Sequence, residues 1–140
     1  MNTMRRFLLL SLALCGVFFT TSCKKGNVEA ELRSVIERNL KGNQNEDMDM
    51  ALMDIDDNLK EATKKIDTII FSQYDLSYTL LDFKVISVKN DTAIIEIRQE
   101  TKKIKGPAFR DNIITAVHTL KKRPNGWKIA DTQIKKTEFL

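Results

Sequence analysis

From Val28 onward, apolar residues recur at Val28, Leu32, Val35, Ile36 and Leu40, the spacing of one helix face. Gly42-Asn43 supplies a C-cap, which predicts a helix over 28–40. A shorter helix over 45–55, capped by Asn43 or Asn45, would turn Met48, Leu52 and Ile55 inward. Asp56-Asp57-Asn58 then breaks the pattern, and Asn58 with Glu61 three residues on suits a capping box. A third helix follows, ending near Tyr74, with Leu59, Ala62, Ile66, Ile69 and Ile70 on its predicted buried side.

After Asp75 the period shortens from about 3.6 to 2. Leu76–Val88 reads as a strand whose parity slips at Leu80-Leu81, the mark of a bulge or sharp bend. Asn90-Asp91 is a two-residue turn signal, and beyond it Ala93, Ile95 and Ile97 alternate with Glu96, Arg98 and Glu100. Lys102–Pro107 reads as a basic tip, Arg110–Lys122 as a third strand, and Trp127–Lys136 as a fourth after the turn Pro124-Asn125-Gly126. The pattern therefore predicts an α+β domain in which three N-terminal helices precede an antiparallel meander of about four strands.

The first 22 residues follow another logic. Arg5 and Arg6 head an uncharged run from Phe7 to Phe19, and Thr20-Thr21-Ser22-Cys23 follows. A basic head, a short apolar run and small exit residues make a secretory signal, and 13 apolar residues are too few to span a bilayer. The exit resembles the bacterial lipobox, which implies cleavage before Cys23 and acylation of its sulfur. The expected organisation is thus a signal peptide over 1–22, a lipidated polar tether over 23–27 and one domain over 28–140.

Cleavage changes what composition means. Cys15 leaves with the signal and Cys23 becomes a thioether, so no disulfide is expected and a hydrophobic core must hold the domain. The formal charge of +4 falls to +2 without Arg5 and Arg6. Residues 23–82 carry −5 and residues 83–140 carry +7. For an exported protein this basic half fits a lysine-rich solvated sheet face better than a nucleic-acid partner, and none is expected. A lipid anchor at Cys23 points to the cell envelope. Lys24 and Lys25 are not an acidic retention or surface-export signal, which favours the periplasmic face of the outer membrane.

The order of elements, together with Val28–Leu40, Asn45–Ile55 and the closing Pro124-Asn125-Gly126-Trp127-Lys128-Ile129, resembles the nuclear transport factor 2-like (NTF2-like) superfamily, including its SnoaL-like domains. The resemblance covers about residues 28–137. It implies helices wrapped by a strongly curved sheet, cone-shaped, with an apolar cavity at the open end. Enzymes of that superfamily use the cavity for acid–base chemistry, binders use it for ligands, and many members dimerise through the sheet. By that resemblance Tyr74, Tyr78, Phe83, Val117 and Trp127 are candidates to line the cavity.

Catalytic candidates are few. His118, the sole histidine, shares parity with Ile114, Ala116 and Leu120 and would face inward, where a neutral imidazole can act as a base. Asp111 and Asp131, with Tyr74 and Tyr78, are the groups that would complete an acid–base site. Asp131 shares parity with Trp127 and Ile129, so it should follow Trp127 to the inner face. One histidine excludes a histidine-based metal cluster. Asp54-Ile55-Asp56-Asp57-Asn58 matches a calcium loop at its first positions but has Leu59 where glycine is required and Lys65 where glutamate is required. Helix capping accounts better for those acids. No metal or cofactor is expected. The reading is a lipid-anchored domain binding a small apolar ligand or a protein partner, with a SnoaL-like acid–base enzyme and a sheet-paired homodimeric assembly subunit as alternatives.

Overall fold

The computed structural model describes residues 22–140, with side chains from Gly26 onward. The signal peptide assigned to 1–22 therefore lies outside the described residues except for Ser22, and so does the Cys23 side chain. Three helices, α1 (Ser22–Gln44), α2 (Met48–Leu52) and α3 (Asp57–Gln73), precede four strands, β1 (Asp75–Lys89), β2 (Thr92–Lys105), β3 (Asn112–Arg123) and β4 (Gly126–Phe139). The strands pair antiparallel in the order β1-β2-β3-β4. This is the predicted α+β plan, with longer strands than the polar residues at their ends suggested.

The sheet is bent where its ladders slip. Bulges interrupt β1 between Leu80 and Asp82, as the Leu80-Leu81 parity break predicts, and again between Val85 and Ser87. β4 slips twice against β3, opposite Thr115/Ala116 and Thr119/Leu120. Each extra residue increases local twist and bends its strand, so the edge strands curl toward the helices. Leu32, Val35, Ile36 and Leu40 of α1 fill the resulting hollow against Phe83, Ile95, Ile97, Ala116, Leu120, Trp127 and Ile129.

Three predicted features come out differently. α1 begins at Ser22, so Lys24–Asn27 continue the helix rather than forming a tether. Nothing in that stretch breaks a helix outright, Gly26 alone costing roughly 1 kcal/mol. Gly42 does not cap α1 but lies inside it. An added Cβ there would stand 2.3 Å from the Ala51 backbone nitrogen, so Gly42 is what lets α2 cross α1 closely. Gly42→Ala should cost about 1–3 kcal/mol in urea unfolding, although alanine is the better helix former. α2 is the third difference, five residues long and capped by Asp47, which accepts from the Met50 N–H.

α3 also buries a different face from the one expected. Ile66 and Ile69 are more than half exposed, whereas Asp67 is buried. Contacts at the start of α3 set its rotation. Asp56 caps it, accepts from Arg123 at 2.7 Å and donates its N–H to the Ile129 carbonyl, while the Asn58 amide reaches the Ala130 carbonyl. Those bonds outweigh the apolar pattern.

Candidate functional site

The ladders determine which side chains line the concave face. Ile95 and Ile97 are buried there, and their partners across the ladder, His118 and Ala116, share that face. His118 is thus inward-facing and half-buried, and its Nδ1 lies 2.8 Å from the Thr132 hydroxyl. Burial depresses the imidazole to about 4, a shift that the nearby Asp131 carboxylate partly opposes. The unfolded chain binds this proton near pH 6.5 and the folded chain near pH 4. Stability should therefore fall as pH drops through that window and be fully present above it. Urea midpoints between pH 7 and 4.5 check this, and His118→Gln should flatten the dependence.

The other acid–base candidates do not converge on His118. Ala130 is the extra residue of a bulge, because Thr119 pairs with Asp131 and Leu120 with Ile129. That slip reverses parity along β4, so Asp131 points outward, where its carboxylate accepts from the Gln133 amide. Asp111 sits at the far end of the sheet, accepting from the Lys103 N–H and, through its carbonyl, from that of Leu140. Among the described residues no group of three or more His, Cys, Asp or Glu side chains is placed to hold a metal.

The expected cavity lining is also redistributed. Val117 pairs with Glu96 and points away from the core. Phe83 is buried with the Arg33 guanidinium 4.7 Å over its ring. Tyr74 packs against Phe109 at the end of the sheet, with centroids 5.9 Å apart. Trp127 is buried, and its indole N–H has no partner among the described residues. Tyr78 does line open space, a groove of about 320 Å³ between the end of α1 and β1, together with Glu37, Leu40, Gln44 and Leu80. The Gln44 side-chain oxygen accepts the Tyr78 N–H there at 3.1 Å. Burial and the charge of Asp67 push the Tyr78 hydroxyl up to about 12, and burial raises Asp67 itself. One Asp67 oxygen is buried without a hydrogen-bond partner among the described residues.

The most tightly built polar cluster lies on another face of α1, around Arg38. Asp54 accepts from Arg38 at 2.6 Å and from Lys128 at 3.3 Å, and Lys128 also donates to the Met53 carbonyl at 2.7 Å. The backbone of 54–56 pairs with the free edge of β4 through the Ile55–Ile129 bridge, covering that edge at Ile129. Beside it lies a groove of about 200 Å³, lined by Ser34, Arg38, Asp54, Asn125 and Trp127 among others. Helix capping predicted a place for Asp56 but not this network. The alternation Asp54-Ile55-Asp56 is itself a strand signature, and that was its available signal.

Helices held in a curved four-stranded antiparallel sheet define the NTF2-like cone fold. Solved structures agree: an NTF2-like protein of unknown function from Pseudomonas putida superposes with a TM-score of 0.67, at 13% identity over 81% of this chain and 95% of that one. A hexachlorocyclohexane dehydrochlorinase, LinA type 2, superposes with a TM-score of 0.59, at 12% identity over 86% of this chain and 93% of that one. At such identities the likeness concerns the fold alone. Within that fold the chain belongs to the family described as the anti-sigma-I factor RsgI9 C-terminal domain, whose family model matches residues 34–140. A relative is anti-sigma-I factor RsgI9 of Acetivibrio thermocellus, 29% identical over 107 residues, or 76% of this chain. The match spans only 15% of that protein's length.

Proposed function

We propose that this chain is a lipid-anchored envelope protein whose NTF2-like domain binds a protein partner rather than turning over a substrate. The observation that carries this reading is the dispersal of the acid–base groups. His118 faces the concave side, Asp131 the convex side, and Asp111 is engaged at the far end of the sheet. Where α1 covers the sheet, the hollow is packed with Leu32, Ile36, Ile95, Ile97 and Leu120. Its open grooves, about 320 and 200 Å³, lie at and below the lower limit of the roughly 300–1,000 Å³ of ordinary ligand pockets. Ile66 and Ile69, by contrast, stand exposed on α3 and suit a protein surface.

Kinship with the C-terminal domain of an anti-sigma-I factor supports a regulatory setting, a domain that receives or relays a signal. No helix among the described residues is long and apolar enough to cross a membrane. Membrane attachment in this proposal rests on acylation of Cys23, and Lys24 and Lys25, in place of acidic residues, favour the periplasmic face of the outer membrane. Crosslinking in cells, followed by detergent extraction of the full chain, should yield a specific complex with one envelope protein. Ile66→Ser with Ile69→Ser should abolish it without unfolding the domain. A chain recovered alone, or a complex indifferent to both substitutions, would contradict the proposal.

A further inference from the structure

One end of the cone gathers exposed apolar and basic residues around two hairpin turns. Cys23 is the second residue of α1, so no spacer separates it from the helix. The Arg33 guanidinium lies over Phe83, whereas Gln44 accepts from Tyr78, so α1 runs opposite to β1 and begins toward the β1–β2 turn at Asn90-Asp91. The Lys122 N–H donates to the Asp91 carbonyl at 2.8 Å, which ties the β3–β4 turn to the same end. Glu31, eight residues after Cys23, lines a groove with Asn125 and Gly126 of that second turn. From the Arg33–Phe83 contact, ten helical residues back to Cys23 rise about 15 Å and five strand residues on to Val88 rise about 16 Å. The β1–β2 turn and the Lys122 backbone bonded to it therefore lie near the level of Cys23, with Asn125 and Gly126 roughly 12 Å lower beside Glu31.

This end combines apolar and basic side chains. Ile86 and Val88 are about half exposed. Lys89 and Lys122 are exposed and form no ion pair among the described residues, the Lys122 ammonium standing 5.4 Å from the Trp127 ring, whereas Arg123 is held by Asp56. Lys24 and Lys25 follow Cys23 directly in sequence, and within the two turns Asp91 is the single carboxylate. Apolar residues flanked by lysines are the chemistry of interfacial membrane contact. A similar segment, Lys102-Lys103-Ile104-Lys105, lies at the opposite end of the sheet, beside the start of β1. Screening confines electrostatic attraction to about 8–10 Å, so only the lysines near the anchor are held within reach of headgroups.

We propose that the end bearing the β1–β2 and β3–β4 turns is a membrane-contact face. It rests on an anionic bilayer, with Ile86 and Val88 at the acyl boundary and Lys89 and Lys122 on lipid phosphates. The inference rests on acylation of Cys23. It orients the domain so that the Tyr78 groove and the Ile104 tip point away from the bilayer.

An acylated mature chain has no free thiol, so single cysteines placed by Val88→Cys, Asn125→Cys or Ile104→Cys can carry an environment-sensitive fluorophore. The full chain, purified from membranes, would be reconstituted into vesicles of phosphatidylethanolamine and phosphatidylglycerol containing brominated acyl chains. Labels at positions 88 and 125 should be quenched several-fold more than the label at 104. Lys89→Glu with Lys122→Glu should remove most of that difference while the protein stays attached. Equal quenching at all three positions, or stronger quenching at 104, would overturn the orientation alone. An intact mass lacking the acyl group would overturn the anchor and this inference together.

Discussion

Asp54→Ala is expected to destabilise the domain by about 3–5 kcal/mol, because it leaves a buried ammonium group without its counter-charge. The Lys128 side chain is only 9% exposed and Asp54 7%, so neither can recover its hydration by a small rotation. Arg38 is 39% exposed and can turn to water, which makes Lys128 the stranded partner. The Met53 carbonyl would remain as its one acceptor, too little to offset desolvation of a full charge. The loss should also reach β4, since the segment that supplies Asp54 pairs with its edge. Urea unfolding of the single variant tests this. Asp54→Leu with Lys128→Met, which removes both charges, should recover most of the lost stability. A loss below about 1 kcal/mol in the single variant would mean that solvent screens the pair as it does a surface pair.

The second large effect is expected at Trp127, where two substitutions should part company. Trp127→Ala should cost about 3–5 kcal/mol, since it empties a site packed against the α1 face of the core. Trp127→Phe should cost far less than the alanine change. The indole N–H is buried without a hydrogen-bond partner among the described residues, so removing it breaks none of the bonds they make and relieves a desolvated donor. Lys122 stands 5.4 Å above the ring and would keep an aromatic face beneath it. Comparable losses in the two variants, measured by denaturant midpoint, would show that the indole is held by a polar contact.

These two sites show which parts of the molecule local patterning can reveal. Leu32, Val35, Ile36 and Leu40 recur at helical spacing and are all buried, and Ala93, Ile95 and Ile97 alternate and are all buried. There, one period decides one face. The bend at Leu81 was legible for the same reason, since two apolar neighbours cannot both point inward in a regular strand. Asp131 was misplaced because nothing in Ile129-Ala130-Asp131 announces a bulge. The extra residue is set by how β4 must bend against β3. α3 was rotated by bonds at its first turn to Arg123, Ile129 and Ala130, more than 60 residues away in sequence. The Arg38–Asp54–Lys128 cluster draws on three separate segments, so no window along the chain contains it. The candidate site was accordingly less legible than the fold. His118 keeps its expected face, while its proposed partners are carried elsewhere by a bulge and a loop.

Attachment of the domain to the membrane through Cys23 can be read from the intact mass and N-terminal peptide of the full chain after expression in a bacterial host and extraction from membranes. The expected product is a chain beginning at Cys23, with its sulfur in thioether linkage to diacylglycerol and further acylation at the new N-terminus. Cys23→Ser should leave the protein in the aqueous phase of a detergent partition. A wild-type protein with a free Cys23 thiol, or one still carrying Arg5 and Arg6, would contradict it.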